Sequence, residues 1–380
     1  MKTSTPLTPE QEARKRSSWA SWTMIVIVLA AVLGLEYFLN SAFRPDTATM
    51  LVGTYTGEGS EGVYSYIFNQ KTGTAAQMGV APSGNPSFVV PDGGFAYSVN
   101  EYSDGRQGAS SFVLEDGVPV PLNSVSARPD TALSPKTGGD PCNLLPGNGF
   151  VVTSNYTGGD LSVYPVLPDG RLGPVSEFYR FGDKAHIHCA RFSPDGAFVF
   201  VADLGNDCIW RLSVTDGGLS SPFLAFRGSE GLGPRHLVFD ASGTHAYLLC
   251  ELSDSLVCFN YGPGGTLEPF RTLSAYDGGG KGSADIHISA DGRFLYTSHR
   301  LKGDGISVFR ILPDGDLERA GFLPTGSHPR NFALSPNGKW LLVACRDADA
   351  IEVYALKNGI PSPAPKTSIP LSKPVCISFI

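Results

Sequence analysis

The chain has 380 residues, of which 45 are Gly and 29 Pro, while charged residues make up only 17% and apolar ones 42%. That composition excludes coiled coils, helical bundles and disordered chains, and it favours many short strands joined by tight turns. A formal net charge of −7 excludes a general nucleic-acid binder, so any anion binding must rest on a local basic cluster.

Residues 1–16 form a polar tail carrying Lys2, Arg14, Lys15 and Arg16. Uncharged residues then run from Ser17 to Leu35, a length that spans a bilayer as a helix. Trp19, Trp22 and Tyr37 sit where interfacial aromatics belong. The basic residues precede the span, which puts the N-terminus in the cytoplasm by the positive-inside rule. The expectation is a transmembrane signal-anchor helix over 17–38, a linker over 39–47, and a domain over 48–380 held at a membrane outside the cytoplasm. Cleavage would release that domain as a secreted protein, but EYFLNSAFRP offers no clear small-x-small cleavage site.

Beyond residue 48 the chain repeats itself. Segments starting at Pro86, Pro141, Ile187, Pro234, Ser283 and Pro329 each read as a strand, a Gly-containing turn and an alternating strand, as in NPSFVVPDGGFAYSVNE and PRNFALSPNGKWLLVACR. A third β-rich run follows, such as DLSVYPV or CIWRLSV, and a turn such as LPDGRL leads to a fourth. A period of about 47 residues with four antiparallel strands describes a propeller blade. The chain ends supply the blade count. TMLVGTYT and GVYSYIF read as the second and third strands of a blade without its first, and PVCISFI, from Pro374, reads as a first strand without a second. The expected fold is therefore all-β, a seven-bladed propeller whose C-terminal strand closes the first blade, preceded by one transmembrane helix.

In a propeller the first strand of each blade lines the axial channel, so equivalent positions form a ring. One ring is Ser87, Cys142, His188, Arg235, Ala284, Arg330 and Val375; another, where second strands end, includes Glu101, Tyr156, Leu204, Glu251, Arg300 and Arg346. A purely structural ring would be small or apolar, as Ala284 and Val375 are. Several Arg against two Glu make instead a site for a small anion, because guanidinium groups grip carboxylate or phosphate bidentately. A His and a Glu in the same funnel can move protons near neutral pH. The plainer reading is that these charges pair across a water-filled funnel to keep the blades in register.

Other signals are weaker. The seven Cys contain no C-x-x-C and mostly lie in strand patterns, as buried free thiols do. His186 and His188 share a strand face without a clear third ligand, and there is no Gly-rich phosphate loop, G-x-S-x-G elbow or EF-hand loop, so neither metal nor cofactor is expected. Asn155-Tyr156-Thr157 fits a glycosylation sequon of a kind frequent by chance.

The segments VGTYT, GGDPCNL, AHIHCARFSPDG, GPRHLVF with CELSDSLVCF, IHISADGRFLYTSHR and HPRNFALSPNGKWLLVA together resemble the lactonase family of seven-bladed propellers. That family includes propeller-type 6-phosphogluconolactonases and fungal carboxymuconate lactonizing enzymes. Its proposed catalytic set is one His, two Arg and a Glu, which fall by motif on His188, Arg235, Glu251 and Arg300. The resemblance implies a lactone hydrolase acting on 6-phosphogluconolactone or a related sugar lactone. A lactonizing cycloisomerase and a non-catalytic, ligand-binding or protein-binding propeller are the alternatives. Arg330, Arg346, His186, His236, Asn143 and Glu101 are expected to hold the small anionic substrate. The chain departs from the family at Asn143, where a His often follows the Pro-Cys pair, and at His299, where Asn is usual. Both Glu251 and His188 stand open as the base.

Overall fold

The structure, a computed structural model, describes residues 45–57, 59–129, 134, 136–216 and 218–380. Short alternating runs separated by Gly turns fold into seven antiparallel sheets, one per repeat. Blade 1 is built from Thr47–Thr54, Gly62–Asn69 and Thr74–Pro82, and its innermost strand is the C-terminal Pro374–Phe379. Met50 pairs with Phe379 and Gly53 with Cys376, so backbone hydrogen bonds join the two ends of the propeller. The inner strands of blades 2 to 7 are Val89–Asp92, Pro141–Gly147, Ile187–Phe192, Pro234–Phe239, Ser283–Ile288 and Pro329–Leu334.

The expected fold needs one correction. The proposed span over 17–38 lies outside the described residues, and among those described no helix is long and apolar enough to cross a membrane. The only helical turn among them is the short 3-10 segment Arg346–Ala348. Among the described residues the fold is an all-β seven-bladed propeller with no membrane-spanning helix. The membrane-anchored, extracytoplasmic placement that depended on the helix is withdrawn. In the described part, apolar residues come in strand-length runs that are used up in packing blade against blade.

The core lies between neighbouring blades. Second strands such as Phe150–Asn155, Phe294–His299 and Trp340–Cys345 are buried along their whole length. Between blades 7 and 1, Trp340, Leu342 and Ile351 pack on Met50, Val52 and Phe68. Each such side chain contributes about 1.5–3 kcal/mol when fully withdrawn from water. Trp340 also donates its indole N–H to the Gln70 carbonyl at 2.8 Å, which keeps its one polar atom satisfied. All seven Cys are buried free thiols.

Three recurrent devices aim residues at the axis. First, the inner strands slip register at the ring position: pairing skips from Pro141 to Asn143, Ile187 to Cys189, Pro234 to His236, Ser283 to Ile286 and Pro329 to Asn331. Cys142, His188, Arg235 and Arg330 are thus bulged residues, and a bulge re-aims the side chain it carries. Second, the residue after each second strand donates its N–H to the carbonyl just before the inner strand, as Glu101 does to Asn85, Glu251 to Gly233, Arg300 to Gly282 and Tyr55 to Lys373, at 2.8–3.2 Å. Third, an Asp between the second and third strands of one blade accepts amides at the entry to the next blade. Asp207 takes Gly233, Asp254 takes Lys281, Gly282 and Ser283, Asp304 takes His328, and Asp349 takes Lys373.

One position beyond the ring, side chains join adjacent inner strands. His236 Nδ1 and Asn331 Nδ2 both contact the buried Asp285 carboxylate, at 2.8 and 2.5 Å, and Ile377 N donates to Asn331 Oδ1 at 2.8 Å. Blades 5, 6, 7 and 1 are tied in this way. The amide of Ala190 likewise donates to Asn143 Oδ1 at 3.1 Å, which links blades 3 and 4.

Candidate active site

Glu251 is the centre of the charged group. Arg235 Nε donates to its Oε2 at 2.9 Å and Arg300 Nη2 to its Oε1 at 2.7 Å, so both carboxylate oxygens are held by guanidinium groups from adjacent blades. Burial pushes this carboxyl up, but Arg235, Arg300 and Arg330 outweigh it and hold it below the usual carboxylate range. His188 Nε2 lies 4.0 Å from Glu251 Oε2. Burial, then the positive charge of Arg235 and the neighbouring His236, Arg330 and Arg300, drive this imidazole well below 6.5, so it is neutral at pH 7. Arg300 is lowered to about 9 by burial and by Arg235, against the pull of Glu251, and it remains a cation.

The two arginines are not equally committed. Arg300 spends Nε on the Gly282 carbonyl, Nη1 on His328 and Nη2 on Glu251. Arg235 spends Nε on Glu251 and Nη1 on the Ala284 carbonyl and His236, but its Nη2 makes no hydrogen bond to a described residue. That nitrogen can donate to a bound oxygen. An axial cavity below is lined by Ser87, Cys142, Arg235, Arg330 and Val375, members of one ring drawn from five blades.

Across the axis, on blades 7, 1 and 2, Arg330 Nη2 reaches Glu101 Oε2 at 3.4 Å. Tyr55, which the sequence reading did not single out, donates its hydroxyl to Glu101 Oε1 at 2.8 Å. Its position was available in the sequence. In VGTYT it stands one step past a second strand, as Glu101 and Glu251 do in their blades, but its inner strand lies at the far end of the chain.

The remaining expected residues divide. His236 lies behind Arg235, with Nδ1 on Asp285, and burial followed by the Arg235 charge lowers it to about 4 despite that carboxylate. His186 stacks on Tyr156 with ring centroids 4.6 Å apart and contacts the Tyr156 carbonyl, so it borders the site without bonding to the charged group. Arg346 turns to Asp347 at 2.9 Å, away from Glu251. Asn143 is fully buried between blades and does not face the funnel. His299 also points into its blade, between Ser283 and Thr297, because it precedes Arg300 and successive strand residues face opposite ways. The sequon residue Asn155 is buried too, with its amide on Asp160 and Ser162. Among the described residues no group of three or more His, Cys, Asp or Glu is placed to hold a metal ion.

The sequence pattern of the family described as lactonase, 7-bladed β-propeller, matches residues 49–379. The chain belongs to this family. It is 33% identical over 327 residues to a 6-phosphogluconolactonase of Formosa agariphila, covering 80% of this chain and 91% of that one. It is 31% identical to a Bacillus subtilis protein of the same name, over 87% of this chain and 97% of the relative. Among solved structures, the lactonase fold here superposes on a periplasmic gluconolactonase of Pseudomonas aeruginosa with a TM-score of 0.78 and 27% identity, covering 88% of this chain and 99% of the other.

Proposed function

We propose that the chain is a lactone hydrolase that opens 6-phosphogluconolactone, or a closely related sugar lactone, to its acid. The observation that carries this reading is Glu251 clamped by Arg235 and Arg300 beside a neutral, buried His188, in a chain whose family relatives bear the name 6-phosphogluconolactonase. Hydrolysis needs a base for the proton of water and donors for the oxyanion that forms at the carbonyl. Glu251 is a poor base, since two guanidiniums occupy its oxygens and hold it ionised. The neutral imidazole of His188 is free to accept.

In the proposed sequence, water attacks the lactone carbonyl carbon and gives its proton to His188 Nε2. Glu251, 4.0 Å away, stabilises the imidazolium so formed. Arg235 Nη2 donates to the oxyanion. When the tetrahedral intermediate collapses, the ring C–O bond breaks and the proton on His188 passes to the departing alkoxide, leaving the open hydroxy acid.

The test is initial-rate hydrolysis of 6-phosphogluconolactone and gluconolactone by the purified chain, with spontaneous hydrolysis subtracted. His188→Ala should lower kcat by about a hundredfold or more. Arg235→Ala should raise KM for the anionic lactone, and Glu251→Gln should lower kcat with the fold intact by circular dichroism. Full activity in all of these variants and in Arg300→Ala would place the chemistry elsewhere.

A further inference from the structure

The funnel holds a second carboxylate whose partners differ in kind from those of Glu251. Glu101 accepts from the Tyr55 hydroxyl on Oε1 at 2.8 Å and from the Ser87 hydroxyl on Oε2. Among the described residues its one charged contact is the 3.4 Å approach of Arg330 Nη2. Glu251, by contrast, is held at 2.7 and 2.9 Å by two guanidiniums. A carboxylate offers about four acceptor positions, so Glu101 has capacity left after these three contacts. Arg330 lies over the Tyr55 ring, 5.4 Å from its centroid, and makes no further hydrogen bond to a described residue. The side chains of Arg330 and Glu101 are 14% and 17% exposed, which leaves each an open edge.

An acceptor with capacity left and a guanidinium with donors left, side by side, suit a ligand group that both donates and accepts. A hydroxyl does this. A phosphate does not, because the Glu101 carboxylate would repel it at hydrogen-bond range. An ester carbonyl, which only accepts, would leave Glu101 without a donor. The Tyr55 hydroxyl, donated to Glu101 Oε1 at 2.8 Å, fixes the carboxylate in place for that role.

We propose that Glu101, Arg330 and Tyr55 form a polyol-reading subsite that binds the ring hydroxyls of a sugar lactone and sets a preference for polyhydroxylated over unsubstituted ligands. The assignment rests on the lactone reading above, since it describes the far end of the same substrate. Its selectivity has a physical source: an analogue without hydroxyls leaves partly buried polar groups short of partners, which discriminates far more strongly than an apolar pocket does.

The experiment is calorimetric titration of the full chain with D-gluconate and with 5-hydroxypentanoate, which share the carboxylate and the hydroxyl released on ring opening but differ in the remaining hydroxyls. Wild type should bind gluconate at least tenfold more tightly. Tyr55→Phe, which removes one oxygen, and Glu101→Gln should each cut that advantage to about threefold or less, with thermal melting followed to confirm the fold. Equal affinity for the two acids in wild type, or an undiminished advantage in both variants, would overturn the subsite. Binding is read without turnover, so the two readings part cleanly: gluconate preference lost in the variants, in a chain that hydrolyses no lactone, would support the subsite and sink the hydrolase.

Discussion

At the scale of single residues, the division of labour proposed for His188 and Glu251 follows from what surrounds each. The same three guanidiniums lower the pKa of both, which favours the charged form of one and the neutral form of the other. Arg235, Arg300 and Arg330 keep the Glu251 carboxylate ionised, and they also keep a proton off His188, where burial is the larger cause. Because the folded pKa of His188 lies well below 6.5, the base form persists as pH falls through that value and is lost only at lower pH. The acid limb of kcat/KM should therefore lie below pH 6.5, and Arg330→Ala, by removing one of the opposing charges, should move it upward. An acid limb at or above 6.5 in wild type, measured with a substrate that does not itself titrate there, would exclude His188 as the base. The charges themselves were legible in sequence, because repeat register places them at equivalent positions. Their protonation was not, because it depends on burial and on neighbours from other blades.

Individual strands explain why those residues converge. The ring positions on five inner strands coincide with register slips, so the side chain that reaches the axis has no cross-strand partner. Repeat spacing reveals the ring, but no residue pattern announced the slips, which arise where an inner strand must satisfy both its own blade and the axis. The inner strands of blades 5, 6, 7 and 1 also enter through turns held by an acidic side chain of the preceding blade. Asp254 is the fullest case, with the amides of Lys281, Gly282 and Ser283 at 2.6–3.2 Å and the Ser283 hydroxyl at 2.8 Å. Asp254→Ala should cost about 1–3 kcal/mol in urea unfolding, the penalty of leaving buried amide donors unpaired. It should also lower activity, because the same turn carries the Gly282 carbonyl that anchors Arg300. Unchanged stability would mean that these amides find other partners.

For the whole molecule, closure is the decisive feature. Pro374–Phe379 supplies the innermost strand of a blade whose other three strands begin at Thr47, so the ring is complete only when both ends of the chain are in place. Deleting residues 374–380 would strip the inner edge of Thr47–Thr54, expose Met50 and Val52, and remove the Ile377 amide from Asn331. The expected result is loss of cooperative thermal unfolding and aggregation through the bared edge. A truncated chain that melted cooperatively near the full-length Tm would show that closure is dispensable.

The sequence by itself determined the all-β class, the seven-blade count, the closure of the first blade by the last strand and the register of charged ring residues. All are properties written locally and repeated about every 47 residues. The membrane helix that hydropathy suggested over 17–38 falls outside the described residues, and among those described no helix is long and apolar enough to cross a membrane. Only the tertiary structure decided which expected residues meet. Tyr55, whose N–H is held by the Lys373 carbonyl at the entry to the closing strand, joins Glu101 of the next blade, whereas Asn143 and His299 turn into the blades and Arg346 turns to Asp347. These outcomes depend on strand pleat, bulges and contacts between blades remote in sequence, and no local pattern encodes them.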